Sequence, residues 1–296
     1  MIRWLHVQKY TRSFRIPIVI WLRSKGLLER FQRISMLHRI HTSKRLYANS
    51  PLNHSAHVLV ICANFNHAKW LRQCVDSVRS QSFQSWTLVI VDDQSTDESL
   101  SVIREAKQGA DNIFAIQLAK NHGAYVARNT AIQPFLSDSF WTHITFIDPD
   151  DVADPGWLEH VVRILGEAEE GWVRPLLARV SEDLTKEIRR YHGYCQSLIA
   201  RKSWMKIGGF ENVRVSGDAD VIERLRRLAK LDELKATERF AFNVCQQARL
   251  HSSNASRTRL NERKVWLENQ MQSYHRCTSP EELRVSPKTA MWEWID

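Results

Sequence analysis

From residue 57 onward, apolar runs of strand length alternate with amphipathic stretches of helix length. His57–Cys62 and Trp86–Val91 are short, rich in β-branched residues and apolar almost throughout, as strands buried on both faces are. Ile113–Leu118 and Thr142–Ile147 repeat the pattern. Between them Leu71, Cys74, Val75 and Val78 recur at helical spacing, and helices are predicted over about residues 68–79, 97–106 and 124–132. Strand and helix in alternation build βα units, hence an α/β fold with a mostly parallel central sheet flanked by helices. In such sheets ligands bind beyond the carboxyl ends of the strands. Asn64 and Asn66, Asp92 and Asp93, Asn121, and the run from Asp148 to Asp151 all follow predicted strand ends. Polar residues from four successive strands thus converge on one edge, the expected place of a shared site.

The last of these runs, Phe146-Ile-Asp-Pro-Asp-Asp151, sets three carboxylates within four residues. Such crowding is costly unless a positive charge is shared between them. Carboxylates at a strand end suit a hard divalent cation, Mg²⁺ or Mn²⁺, that keeps room for phosphate oxygens. The alternative is a solvated acidic turn capping a helix that starts near Pro155.

Charge divides the chain. Its net charge is +9, yet residues 1–54 hold eleven Lys or Arg against the single acid Glu29, a net +10 that leaves −1 for residues 55–296. Within this arm Leu27, Phe31, Ile34 and Leu37 recur at helical spacing, predicting a basic amphipathic helix. Such a helix lies on an anionic membrane surface, binds nucleic acid, or docks on its own domain with a solvated basic face. Trp4, Trp21 and Phe31 suit the membrane surface. Nucleic acid is the weaker partner, because the arm has no aromatic platform and the neutral body continues no basic stripe. No stretch of eighteen apolar residues predicts a spanning helix. Ile16–Leu22 is short, contains Pro17 and lacks a small-residue cleavage site, so no secretory signal is expected. The five scattered cysteines form no Cys-x-x-Cys pair and point to reduced thiols in a cytoplasmic protein, without a disulfide framework or zinc site.

Several motifs then occur in a telling order. Val58-Leu-Val-Ile-Cys-Ala-Asn-Phe-Asn66, Leu71, Ser77-Val78 with Gln81, and Leu88-Val-Ile-Val-Asp-Asp-Gln-Ser-Thr-Asp97 resemble the opening of family 2 glycosyltransferases of the GT-A fold. Asn121-His-Gly123 with Ala127-Arg-Asn129, the acidic run with Pro155 and Leu158, and Ile207-Gly-Gly-Phe-Glu211 continue that resemblance. It covers roughly residues 57–256 and implies three parts: a basic amphipathic extension over 1–54, a GT-A domain over 55–256, and a polar helical tail over 257–296.

The resemblance implies an inverting transfer of a sugar from a nucleoside diphosphate to an acceptor hydroxyl, in glycan or polysaccharide synthesis. Its nucleotide-sugar site would draw on Asn64, Asn66, Asp93, Asn121, Arg128 and Asp148. Asp93 matches the carboxylate that accepts the imide N–H of uracil in the family; thymine and guanine also offer such a donor, so UDP-, dTDP- and GDP-sugars stay open. An Asx turn is the alternative for one of Asp92 and Asp93. Asp148 and Asp150 match the Asp-x-Asp element, whose last carboxylate binds the cation bridging the two phosphates, with Asp151 as support. His251, in Arg249-Leu-His, would complete the metal shell or touch the diphosphate, and a nitrogen ligand favours Mn²⁺ over Mg²⁺. Asp218 matches the catalytic base, although Gly217 replaces the family's Glu before it, and an N-cap role is the alternative. That departure also leaves open a catalytically impaired GT-A protein that only binds nucleotide-sugars. The acceptor, whether lipid-linked sugar, polysaccharide end, small molecule or protein, is expected near Tyr191–Gln196, Trp204 and Gly208-Gly209-Phe210. With a lipid-linked acceptor, the arm would hold the enzyme on the inner face of a membrane.

Overall fold

The computed structural model describes residues 28–213, 215–252, 254 and 276–295, together with residues 265, 269, 270, 273 and 274. The first half of the basic arm, including Trp4, Trp21 and the apolar run Ile16–Leu22, and much of the expected tail lie outside the described residues.

Four strands form the parallel heart of the sheet: β1 (Val58–Asn64), β2 (Trp86–Asp92), β3 (Ile113–Leu118) and β4 (His143–Ile147), in the order β3-β2-β1-β4. Every residue of β1, β2 and β4 is buried, which is why these stretches read as continuous apolar runs. Alternate side chains serve opposite cores. Val58, Val60, Cys62, Leu88 and Ile90 pack on α2 (Ala68–Arg79), α3 (Ser99–Lys107) and α5 (Trp157–Leu165). Leu59, Ile61, Val89 and Val91 pack on α4 (Ala124–Ile132), α6 (Arg201–Ile207) and α7 (Gly217–Lys230). Register aligns Asn64 with Asp92 and Cys62 with Ile147, so the loops after these strands leave the same edge.

Past β4 the sheet turns mixed. β8 (Leu198–Ala200) pairs antiparallel with β4, and β6 (Trp172–Ser181) pairs antiparallel with β8 and with β7 (Glu187–His192). β9 (Glu238–Leu250) then lies parallel to β6. β5 (Val152–Ala153), directly after the acidic run, pairs with β9 at Val152 and Gln247. That pairing delivers the end of β9, with Arg249 and His251, to the carboxylates that follow β4.

Two expectations are corrected. The end of the chain does not stand apart as a polar tail: β10 (Trp292–Trp294) adds to β3, and Leu283 and Ile295 are buried. Gly208 and Gly209, expected beside the acceptor, seat this returning segment instead. Gly208 has φ +79°, and a Cβ there would lie 2.1 Å from the Val285 carbonyl oxygen. A Cβ on Gly209 would come within 2.9 Å of Asn129 Oδ1 and 3.1 Å of Pro287. Trp204 and Phe210 are buried in the second core.

The arm's helix, α1 (Leu28–Tyr47), docks on the body through Met36, Ile40 and Tyr47. Ser43 donates to the Phe240 carbonyl and Arg39 sits 4.7 Å over the Phe240 ring. Of the predicted apolar stripe, Leu27 lies outside the described residues, and the rest is on the opposite face. Ile34 and Leu37 are 61% and 51% exposed, alongside exposed Arg30, Arg33, Lys44 and Arg45.

Candidate active site

The edge formed by β1 and β2 is held by short polar side chains. Asn64 donates to Asp92 Oδ1 at 3.0 Å and to Ser95 Oγ at 3.1 Å, while Asp92 Oδ2 accepts the Ser95 N–H. Asp92 is therefore the Asx-turn member of the pair. Asn66, in the left-handed region at φ 57°, accepts the Thr96 N–H on Oδ1 and donates its own N–H to Ser95. Both asparagines stitch the β1 loop to the β2 loop. Asn64 Oδ1 is left buried with no hydrogen-bond partner among the described residues.

Asp93 accepts the backbone N–H groups of His122 and Gly123 at 2.8 and 2.7 Å, and Asn121 donates to the Asp93 carbonyl at 3.1 Å. Burial raises the Asp93 carboxyl despite these two donors. Each oxygen keeps a second lone pair for a ligand donor.

Beyond β4 the three carboxylates part company. Asp148 pairs with buried Arg128 at 2.6 Å and accepts from Gln196 at 3.2 Å. Burial opposes the Arg128 charge, but its neighbours, Asp148 among them, hold it protonated, and its Nε is buried without a partner among the described residues. Asp151 accepts the Arg249 N–H at 3.1 Å, and burial pushes its carboxyl well up. Arg249 steadies the loop further by donating to the Asp150 carbonyl at 2.7 Å. Asp150 is different. Burial works against its charge, but the bond to His251 at 2.7 Å draws its pKa below the ordinary carboxylate value. Asn254 donates to the same Asp150 oxygen at 3.1 Å.

One ligand atom each from His67, Asp150 and His251 lies within 4.8 Å of the others. Ligands on one cation with bonds of about 2.1 Å stand roughly 3–4 Å apart, so this trio fits a divalent ion with small adjustment. Asp148, expected to share the metal, is instead turned to Arg128 and Gln196. His67 escaped the sequence pattern because a single histidine at a helix start carries no spacing signal. Its position three residues past β1 was the available clue.

Asp218 lies in the first turn of α7, after Ser216 at the cap position and Gly217. Ser216, not Asp218, holds the N-cap position, although its side chain makes no capping hydrogen bond among the described residues. The Tyr125 hydroxyl donates to Asp218 Oδ1 at 3.0 Å. A Cβ on Gly217 would meet the Tyr125 ring at 2.9 Å, so the glycine that departs from the family pattern makes room for this tyrosine. Asp220 is locked away: it bonds buried Arg224 at 2.7 Å and accepts the Tyr274 hydroxyl. Arg224 in turn donates to the Ile207 and Gly209 carbonyls.

Residues 59–224 match the family profile described as glycosyl transferase family 2. A putative teichuronic acid biosynthesis glycosyltransferase of Bacillus subtilis is 33% identical over 94 residues, 32% of this chain and 36% of that protein. A putative B. subtilis glycosyltransferase is 30% identical over 110 residues, 37% of this chain and 30% of that protein. The matched stretch thus spans about a third of these relatives' length. S. aureus TarS in complex with UDP superposes with a TM-score of 0.56 at 15% identity, covering 74% of this chain and 65% of that one. A mannosyltransferase from Pyrobaculum calidifontis in complex with GDP-Man and Mn²⁺ gives a TM-score of 0.56 at 15% identity, covering 90% of this chain and 78% of that one. At such identity these likenesses bear on the fold, which is the expected GT-A architecture. The profile covers more than half of the sequence, and the chain belongs to glycosyl transferase family 2.

Proposed function

We propose that this protein transfers a sugar from a nucleoside-diphosphate donor to an acceptor hydroxyl by a single inverting displacement. The observation that carries this reading is the meeting, at one sheet edge, of the Asp93 loop, the Asp148–Arg128 pair, the His67–Asp150–His251 trio and Asp218. Asp93 would accept an imide N–H of the base, and two of the buried polar atoms without a partner among the described residues, Asn64 Oδ1 and Arg128 Nε, offer an acceptor and a donor to a bound nucleotide-sugar. Asp150, with His251, would hold Mn²⁺ or Mg²⁺. When bound, the cation offsets the charge that the departing diphosphate gains.

Asp218 would take the proton from the acceptor hydroxyl as that oxygen attacks the anomeric carbon. Tyr125 donates to Asp218 Oδ1 and helps fix the orientation of this carboxylate. Much of the rate comes from holding donor and acceptor together within the loops of residues 64–66, 93–97 and 148–151. The intact carboxylate and its tyrosine partner favour catalysis over a binding-only role, since Gly217 is explained by packing. The donor is a UDP-sugar in this reading, in keeping with TarS bound to UDP and UDP-GlcNAc; the mannosyltransferase with GDP-Man makes a GDP-sugar the second candidate. Relatives named for teichuronic acid biosynthesis and for teichoic acid polymerisation support an acceptor in polysaccharide synthesis. We assign this activity to residues 55–256.

Titration with UDP in the presence and absence of Mn²⁺ tests the core of this reading. Asp150→Ala should lose the Mn²⁺-dependent part of UDP affinity while keeping its fold. UDP binding that ignores both Mn²⁺ and this substitution would overturn it.

A further inference from the structure

We propose that His67 is a metal ligand, so that the cation is held by two imidazoles and one carboxylate and later first-row ions are chosen over Mg²⁺. This rests on the reading of Asp150 as the metal carboxylate and specifies the centre built around it. Three observations carry it. The first is position: His67, Asp150 and His251 come from the β1–α2 turn, the loop after β4 and the end of β9, and they present their ligand atoms to one point.

The second is the state of the ring. His67 Nδ1 lies 2.7 Å from the Phe65 carbonyl oxygen. A carbonyl only accepts, so Nδ1 carries a proton, and in the neutral ring the lone pair is on Nε2. Anchoring one ring nitrogen on a backbone carbonyl is the arrangement that fixes metal-binding imidazoles and leaves the other nitrogen to the ion. The turn itself is pinned, because Asn66 accepts the Thr96 N–H. Trp70 lies near both rings, with its centroid 5.6 Å from that of His67 and 4.4 Å from that of His251, and limits how far either can swing.

The third is what the neighbouring carboxylates do. Asp148 is bonded to Arg128 and Gln196, and Asp151 accepts the Arg249 N–H. Asp150 is the carboxylate left facing the two histidines. A set with two nitrogens and one oxygen is poor for Mg²⁺, which asks for oxygen ligands, and improves from Mn²⁺ to Co²⁺ along the first row. Diphosphate oxygens and water would fill the remaining positions.

The test uses the full chain with MnCl2, CoCl2 and MgCl2, in calorimetry and in pulsed electron paramagnetic resonance of bound Mn²⁺. The wild type should show couplings from two imidazole nitrogens, bind Co²⁺ more tightly than Mn²⁺, and keep its Mn²⁺ against an equal concentration of Mg²⁺. His67→Ala should lose one nitrogen coupling and about tenfold or more in Mn²⁺ affinity, with an unchanged circular dichroism spectrum. His67→Glu, which restores an oxygen ligand of similar reach, should narrow the preference for Mn²⁺ over Mg²⁺. Two couplings and full affinity in His67→Ala would overturn the proposal. So would ready displacement of Mn²⁺ by Mg²⁺ from the wild type. A coupling lost only in His251→Ala would remove His67 alone, whereas a wild type that binds no ion even with UDP would remove the metal reading of the whole site.

Discussion

At the scale of single residues, chemistry was easiest to read where a residue type has few other reasons to be present. Asp150 and Asp218 stood out in the sequence and both reach the strand-end edge. Their neighbours show how little the carboxylate alone says. Asp92, Asp151 and Asp220 are spent on Ser95, Arg249 and Arg224, and only the fold could distribute them so. Asp218→Asn separates proton transfer from structure, because the amide keeps the shape and an oxygen for Tyr125 but cannot accept a proton at neutral pH. Donor binding and melting temperature should hold while transfer falls about a hundredfold or more. Transfer that survives this change would hand the base to another group. Tyr125→Phe is expected to be milder, on the order of tenfold, with an altered pH profile of transfer, since it removes one hydrogen bond to the carboxylate and leaves the carboxylate in place.

At the scale of elements, the four parallel strands and the helices between them follow the apolar pattern within a residue or two, as buried strands with local partners should. The mixed half, from β6 to β9, was not legible. Its β6–β9 pairing joins residues far apart in sequence, and its polar β7 is largely exposed. The glycines before Phe210 illustrate the same limit. They were expected to open a binding surface, yet they let the segment around Val285 and Pro287 approach the backbone. Gly208→Ala should cost about 2 kcal/mol or more, because it combines a left-handed φ with a Cβ against a carbonyl oxygen. Thermal unfolding is then expected to shift down by at least about 4 °C. A smaller shift would mean that the C-terminal segment does not sit there in solution.

At the scale of the whole molecule, charge and apolar exposure coincide on the outer face of α1. Docking through Met36, Ile40 and Tyr47 uses one side of the helix and leaves Ile34 and Leu37 in solvent among basic residues. Among the described residues no helix is long and apolar enough to cross a membrane. We expect the full chain to sediment with anionic vesicles at low salt, each basic residue near the surface adding about 1 kcal/mol. Binding should fade as salt shortens the reach of these charges to about 10 Å or less. Ile34→Glu combined with Leu37→Glu lies on the solvent side, so it should weaken vesicle binding without changing UDP affinity or the fold. A full-length protein indifferent to anionic vesicles at low salt would leave α1 as a brace for the body.

What the sequence by itself determined was the order of βα units, the edge on which their polar ends meet and the segregation of charge into the arm. These follow from local periodicity and from the covalent order of residues, which folding cannot rearrange. The tertiary structure decided which carboxylate faces His251, that His67 stands beside them, that Tyr125 claims the space beside Gly217, and that the segment around Val285 returns to seal Gly208. Each of those depends on contacts between segments separated by dozens of residues or more, where only the packed backbone fixes distance and direction.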